Sequence, residues 1–242
     1  MSALLEVEGL SKRFRGLKAV ADVSFTVPEG RILALIGPNG AGKTTTFNLI
    51  AGVFPPDEGR VTLKGRSLTG LKPNQVCAAG IGRTFQIVKP FGQLTVEENV
   101  IVGALARETS VETARLQARA VLERLELADQ ANRPARSLTL PDRKRLEVAR
   151  ALATRPTLLL LDEVLAGLRP TEVDRMVGVL RELNRREGLT ILMIEHVMRA
   201  VMALSDRVVV LDHGEKIADG APAEVVADPR VVESYLGAEA LD

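Results

Sequence analysis

The sequence predicts an α/β fold with a largely parallel sheet, on three observations. Short apolar runs at Arg31–Ile36, Thr157–Leu161 and Thr190–Ile194 read as strands buried on both faces. Helical patterns near Thr171–Arg186 and Met198–Leu204 alternate with them, as parallel crossovers require. Between the first such strand and a helix lies Gly37-Pro38-Asn39-Gly40-Ala41-Gly42-Lys43-Thr44-Thr45, a G-x-x-x-x-G-K-T loop.

Taken in order, Leu4–Val27 reads as strands, with alternation clearest from Val20 to Val27. Pro28-Glu29-Gly30 turns the chain into the strand before the loop, and no breaker interrupts the following helix until Gly52. Pro55–Gly59 is a further turn, Arg60–Leu63 a strand, and Pro73 opens a short helix ended by Gly80. Beyond Gln86 the character changes. From Thr95 to Ala128 no strand pattern occurs, while Val111, Ala114, Ala118, Val121, Leu122 and Leu125 fall at helical spacing. This stretch is expected to be a helical insertion in the core. Strand Arg207–Leu211 and turn Asp212-His213-Gly214 lead into Glu215–Ala218, and helices after Pro222 and Pro229 close the chain.

Composition excludes several classes. At 242 residues one large domain can bury a full core, and a net charge of +1 leaves no electrostatic footprint for nucleic acid. Aromatic residues make up only 3%, which argues against a base-stacking surface, so no nucleic-acid partner is expected. The single cysteine, Cys77, cannot form an internal disulfide and favours a reducing compartment. Met1–Glu6 lacks a basic region followed by an apolar core, and no apolar run approaches the ~20 residues of a spanning helix. Any membrane role is therefore expected through partners.

The loop chemistry is anion capture. Glycines let backbone N–H groups turn inward around a polyphosphate, and the helix presents its positive end. Lys43 can reach the β- and γ-phosphates, and the Thr44 hydroxyl can ligate Mg²⁺. The site is read as one for a nucleotide.

Joined with Gln86 in Arg83-Thr84-Phe85-Gln86, a signature-like stretch at Ser137–Leu152, Asp162-Glu163 and His196, the loop makes the chain resemble the ATP-binding-cassette (ABC) ATPases over nearly its whole length. The resemblance implies an ABC cassette of the P-loop NTPase class, with a mostly parallel core sheet, an N-terminal antiparallel β subdomain and an inserted α-helical subdomain. Core segments 1–86 and 154–242, helical subdomain 87–153 and short C-terminal helices in 222–242 are expected within a single ATPase domain. ATP and Mg²⁺ are the implied ligands, with Thr44, Gln86 and Asp162 about the metal. Glu163 polarises the attacking water as general base, His196 contacts the γ-phosphate, and Phe14 stacks on adenine, with a core phenylalanine as the rival reading.

The departures narrow the expectation. The family signature Leu-Ser-Gly-Gly-Gln, which docks on the nucleotide of the opposite subunit, is here Leu138-Thr139-Leu140-Pro141-Asp142. Pro141 removes an N–H donor while suiting a first helical turn, and Asp142 is expected to set a negative charge where an anion should dock. Val164 and Arg169 also depart from the usual proline and aspartate. A degenerate signature spoils the partner's site and leaves this chain's own site intact, so a different second ATPase subunit is expected. Leu10–Val20, Ile194–Met198 and Pro229–Gly237 resemble the larger ATPase subunit of branched-chain amino acid importers. That implies two membrane permeases, an external solute-binding protein acting indirectly, and a place on the cytoplasmic face of the cell membrane. The alternatives are a lipopolysaccharide-export ATPase, which shares the Tyr-Leu-Gly ending, and a soluble cassette protein working on ribosomes or DNA.

Overall fold

The computed structural model describes residues 3–239, with side chains to Tyr235; Met1, Ser2 and the end of the 222–242 stretch, residues 240–242, lie outside the described residues. Strands β1 (Ala3–Phe14) and β2 (Leu17–Pro28) pair antiparallel, and alternation buries Val23, Phe25 and Val27 on one face of β2. Strand β3 (Ile32–Ile36) feeds the glycine-rich loop and helix α1 (Lys43–Ile50). Strands β4 (Glu58–Leu63) and β5 (Arg66–Ser67) complete a sheet of order β2-β1-β4-β5.

Helix α2 (Pro73–Ala79) starts on proline and ends at Gly80, in the left-handed region at φ 118°. Strand β6 (Ile81–Arg83) follows, and then the helical layer: α3 (Val96–Ala104), α4 (Val111–Arg124) and α5 (Leu140–Ala153). The remaining elements are β7 (Leu158–Asp162), α6 (Pro170–Glu187), β8 (Thr190–Ile194), α7 (Met198–Leu204), β9 (Arg207–Asp212), β10 (Glu215–Gly220), α8 (Pro222–Val226) and α9 (Pro229–Glu239). The second sheet runs β10-β9-β3-β8-β7-β6, parallel from β9 to β6 with β10 antiparallel at the edge.

Two cores sandwich this sheet. On β3, Ile32, Ala34 and Ile36 face the core shared with α3–α7, while Leu33 and Leu35 face the antiparallel sheet and α1. Strand β7 divides likewise, Leu159 and Leu161 against Leu158 and Leu160. Burial on both faces explains why these strands read as unbroken apolar runs. In the helical layer Ala114, Ala118, Val121, Leu122 and Leu125 are buried, whereas Val111 opens α4 in solvent.

Polar staples fix the helical layer to the core. The Arg107 guanidinium donates to the carbonyls of Thr154 (2.9 Å), Ala78 (3.0 Å) and Cys77 (3.0 Å). Buried Asn99 exchanges hydrogen bonds with the Phe91 backbone (2.9 and 3.1 Å), which anchors the connection from β6 to α3. That connection carries Gln86 to the site.

Candidate active site

The loop after β3 owes its shape to close backbone neighbours. A Cβ on Gly37 would lie 2.0 Å from the Leu211 carbonyl oxygen, and one on Gly42 2.4 Å from that of Ala19. Both residues also have positive φ, so the conformation is reserved for glycine. Lys43 Nζ donates back to the carbonyls of Gly37 (2.7 Å) and Pro38 (2.8 Å). Burial lowers the Lys43 pKa, and the charges of Glu163 and Asp162 work against that shift.

Asn39, Gly40, Ala41, Gly42, Lys43, Thr44 and Thr45 line a cavity of about 510 Å³ together with Phe14, Gln86, Glu163 and His196. Gly37 and Pro38 form the back of the loop. The Phe14 ring is 38% exposed and meets Phe54 edge-on, with centroids 5.4 Å apart. It therefore stands at the rim, where a planar base can reach it.

The far wall holds three groups that chain order keeps distant. Glu163 follows the end of β7, in the left-handed region at φ 51°, a conformation that costs a non-glycine residue about 1 kcal/mol. Gln86 Nε2 donates to Glu163 Oε2 at 2.7 Å, and His196 Nε2 lies 2.8 Å from Oε1. Both carboxylate oxygens are thus aimed by neighbours on separate loops. The arrangement suits a carboxylate that draws a proton from water beside a phosphate.

Asp162 ends β7 fully buried. Arg83 bridges its Oδ2 (3.2 Å) to Asn48 Oδ1 (2.7 Å), and Thr84 Oγ1 accepts from the Asp162 amide at 3.0 Å. Burial raises the Asp162 pKa while the Arg83 charge opposes it. Its Oδ1 is buried with no hydrogen-bond partner among the described residues, an arrangement that fits a divalent cation. Among the described residues no cluster of three acidic, histidine or cysteine side chains forms a metal cage. A cation shared between one carboxylate, the exposed Thr44 hydroxyl and substrate phosphates matches Mg²⁺ better than a closed protein site.

Thr139, Leu140, Pro141 and Asp142 lie elsewhere, at the start of α5. Thr139, Pro141 and Asp142 border a separate cavity of about 250 Å³ with Glu172 and Arg175. Thr139 caps the helix, and Pro141 sits in its first turn without disrupting it. The negative charge expected at Asp142 is internally partnered: its carboxylate is ion-paired with Arg145 and accepts the Thr139 hydroxyl at 2.8 Å. Burial pushes its pKa up, but hydrogen bonds from Thr139, Gln130 and Arg145 outweigh burial and hold the carboxyl below its ordinary value. Arg145 also reaches Glu126, itself ion-paired with Arg175 on α6, so the charge is absorbed internally.

The residue patterns alone did not single out Arg83, Lys144 or Glu195 for the site. Lys144 Nζ donates to the Glu163 carbonyl at 2.9 Å, and Glu195 Oε1 accepts from the Leu165 amide at 2.9 Å. Burial pushes the Glu195 pKa up to about 7, against the backbone amides of Leu165 and His196. A signal is legible for Glu195, a carboxylate that directly follows the apolar run Thr190–Ile194, whereas Lys144 lies between Arg143 and Arg145 and nothing in the order marks it.

The chain is similar to known ATP-binding cassettes. A family model described as ABC transporter matches residues 20–166, and one described as Branched-chain amino acid ATP-binding cassette transporter matches residues 215–240. The high-affinity branched-chain amino acid transport ATP-binding protein LivG of Salmonella typhimurium is 43% identical over 97% of this chain and 98% of its own length. The lipopolysaccharide export system ATP-binding protein LptB of Acidithiobacillus ferridurans is 35% identical over 98% of each. The crystal structure of the ADP conformation of MJ1267, an ATP-binding cassette of an ABC transporter, matches with TM-score 0.89 at 33% identity, covering 98% of this chain and 100% of that one.

Proposed function

The chain belongs to the ABC transporter family of ATP-binding cassettes, and from that premise we propose that it powers an importer of branched-chain amino acids or a related small amino acid or amide. It is an ATPase of the ABC type, and its substrate site is the cavity between the glycine-rich loop and Glu163. The observation that carries the reading is the convergence of Gln86 and His196 on the two oxygens of Glu163, across from Lys43.

In the proposed reaction the loop amides and Lys43 hold the β- and γ-phosphates, and Phe14 stacks on the adenine. Glu163 polarises the attacking water, with His196 orienting it toward the γ-phosphate and Gln86 sensing both carboxylate and metal. Mg²⁺, held by Thr44, Gln86 and Asp162, would neutralise charge developing on the phosphate oxygens. ATP binding clamps two cassettes together and hydrolysis releases them, because the γ-phosphate makes additional contacts, across the pair, only when it is closed.

The partners follow from two surfaces. A groove of about 260 Å³ between α2, β6, α3 and α5 is lined by Val53, Phe85 and Val102, and Ile87 beside it is 68% exposed. Next to the 88–95 segment, this apolar groove suits a cytoplasmic helix of a membrane permease. Among the described residues no helix is long and apolar enough to cross a membrane, so attachment to the cytoplasmic membrane face would run through two such permeases. At the start of α5, Pro141 lacks an N–H and the Arg145 guanidinium is committed to Asp142, which leaves few donors for a partner's nucleotide. A second, different ATPase subunit with an intact signature completes this chain's own site; an external solute-binding protein would act through the permeases.

The test is capture of the assembly. A tagged Glu163→Gln variant is expected to bring down two polytopic permeases and a second cassette from detergent-solubilised membranes, identified by mass spectrometry. Recovery of only its own copies with an export permease pair would instead favour lipopolysaccharide export. Ribosomal or DNA-bound partners would overturn the transport assignment.

A further inference from the structure

Helix α5 carries Thr139 at its tip and four buried charged residues: Asp142 and Arg145, which pair with each other, and Lys144 and Glu147. Lys144 and Glu147 are each 4% exposed, and three residues apart they share one face of the helix. Burying single charges is costly, and an apolar pair of similar volume would serve packing alone at least as well.

What these side chains grip is specific. Lys144 Nζ donates to the carbonyl of Glu163 at 2.9 Å, while the Glu163 amide donates to the Ile194 carbonyl at 3.0 Å. Those two bonds bracket the peptide units of a residue held at φ 51°. The Glu147 carboxylate lines the same groove as Phe85, the residue immediately before Gln86, close enough for the Phe85 amide to favour its charged form, and accepts a hydrogen bond from Arg150 at 3.0 Å. One helix face thus holds backbone on both sides of the Gln86–Glu163 hydrogen bond.

The charges around Lys144 come from three elements: Asp162 and Glu163 at the end of β7, Glu195 after β8, and Glu147 on its own helix. Burial lowers the Lys144 pKa and these carboxylates oppose the shift. Burial raises the pKa of Glu147, with the Arg150 charge and the Phe85 amide opposing. The ammonium thus lies near several carboxylates and directs a hydrogen bond at the Glu163 backbone.

We propose that Lys144 and Glu147 are positioning residues for ATP hydrolysis, which fix the Glu163 carboxylate and the Gln86 amide relative to each other through the backbone they hold. The direction of the Glu163 side chain then depends on the placement of α5, the helix that Thr139 caps. The inference rests on the reading of Glu163 as general base. Neither residue lines the cavity assigned to the nucleotide, so their removal is expected to act on turnover and not on ATP affinity.

The experiment measures kcat and KM for ATP with Mg²⁺ in the assembled transporter, for the wild type and for Lys144→Met, Lys144→Arg, Glu147→Gln and Glu163→Gln. Lys144→Met is expected to lower kcat about tenfold to a hundredfold, the scale of a misaligned reacting group, with KM changed by less than about twofold. Lys144→Arg, which keeps the charge and the donor, is expected to recover most of the loss. Should Lys144→Met not assemble, Glu147→Gln decides, with an expected fall in kcat of about threefold to tenfold at constant KM. Wild-type kcat in Lys144→Met, or a loss matched by equally weakened ATP binding and not recovered by arginine, overturns the proposal. Full activity in Glu163→Gln would instead overturn the assignment of the base, and so separates the two failures.

Discussion

Asp142 is ion-paired with Arg145 one turn along α5, and both side chains are buried. The pair converts what would be a free charge at the helix tip into part of a chain running through Glu126 to Arg175 on α6. Asp142→Ala should therefore destabilise the protein by about 2–3 kcal/mol, below the usual cost of splitting a buried pair because Arg145 keeps Glu126. Urea denaturation of the isolated subunit measures this, and an unchanged midpoint would contradict it.

Phe14 stands at the rim of the nucleotide cavity against Phe54. Phe14→Ala should weaken ATP binding by about 1–3 kcal/mol, the value of stacking one base on an aromatic ring. Inorganic triphosphate has no base and should bind the variant as it binds the wild type. Equal losses for both ligands would assign Phe14 to packing.

Asp162 Oδ1 is buried without a hydrogen-bond partner among the described residues. Asp162→Asn should raise the Mg²⁺ concentration for half-maximal hydrolysis by at least about tenfold, since a neutral amide replaces the charged ligand. ATP binding in EDTA should change little. The measurement is a Mg²⁺ titration of ATPase activity at saturating ATP.

Glu195 gives a pH prediction. Its pKa is pushed up to about 7 in the fold by burial, so between its ordinary value and pH 7 the native state holds a proton that the unfolded state has released. The wild type therefore loses stability as pH rises through this window. Glu195→Gln does not titrate, keeps an acceptor for the Leu165 amide, and should escape the loss. The variant should match the wild type near pH 4.5 and exceed it at pH 8 by up to about 3 kcal/mol. Thermal melts at the two pH values test the sign; an advantage confined to acid pH would contradict it.

Much of this architecture is legible in the amino-acid order because burial on both faces leaves a plain mark. Strands β3, β7 and β8 are unbroken apolar runs, and helix starts are marked by Pro73 and Pro170 and helix ends by Gly80 and Gly188. Strand β6 is three residues long at a sheet edge and β5 only two, too short for any periodicity to register. The loop motif and Asp162-Glu163 are readable as motifs, Gln86 and His196 only through the family resemblance, and the convergence of Gln86 and His196 on the Glu163 carboxylate is a tertiary fact. The pairing of Asp142 with Arg145 and the grip of Lys144 on Glu163 depend on which face α5 turns inward, so the sequence order alone leaves Asp142 looking like a bare charge.

The most direct test of the account compares ATP hydrolysis by the transporter in lipid vesicles carrying Glu163→Gln in this chain or the equivalent substitution in its partner cassette. An asymmetric pair predicts that Glu163→Gln removes at least about nine-tenths of turnover, an effect of about 1.4 kcal/mol or more, while the partner substitution leaves most of it. Equal halving by the two substitutions would contradict it.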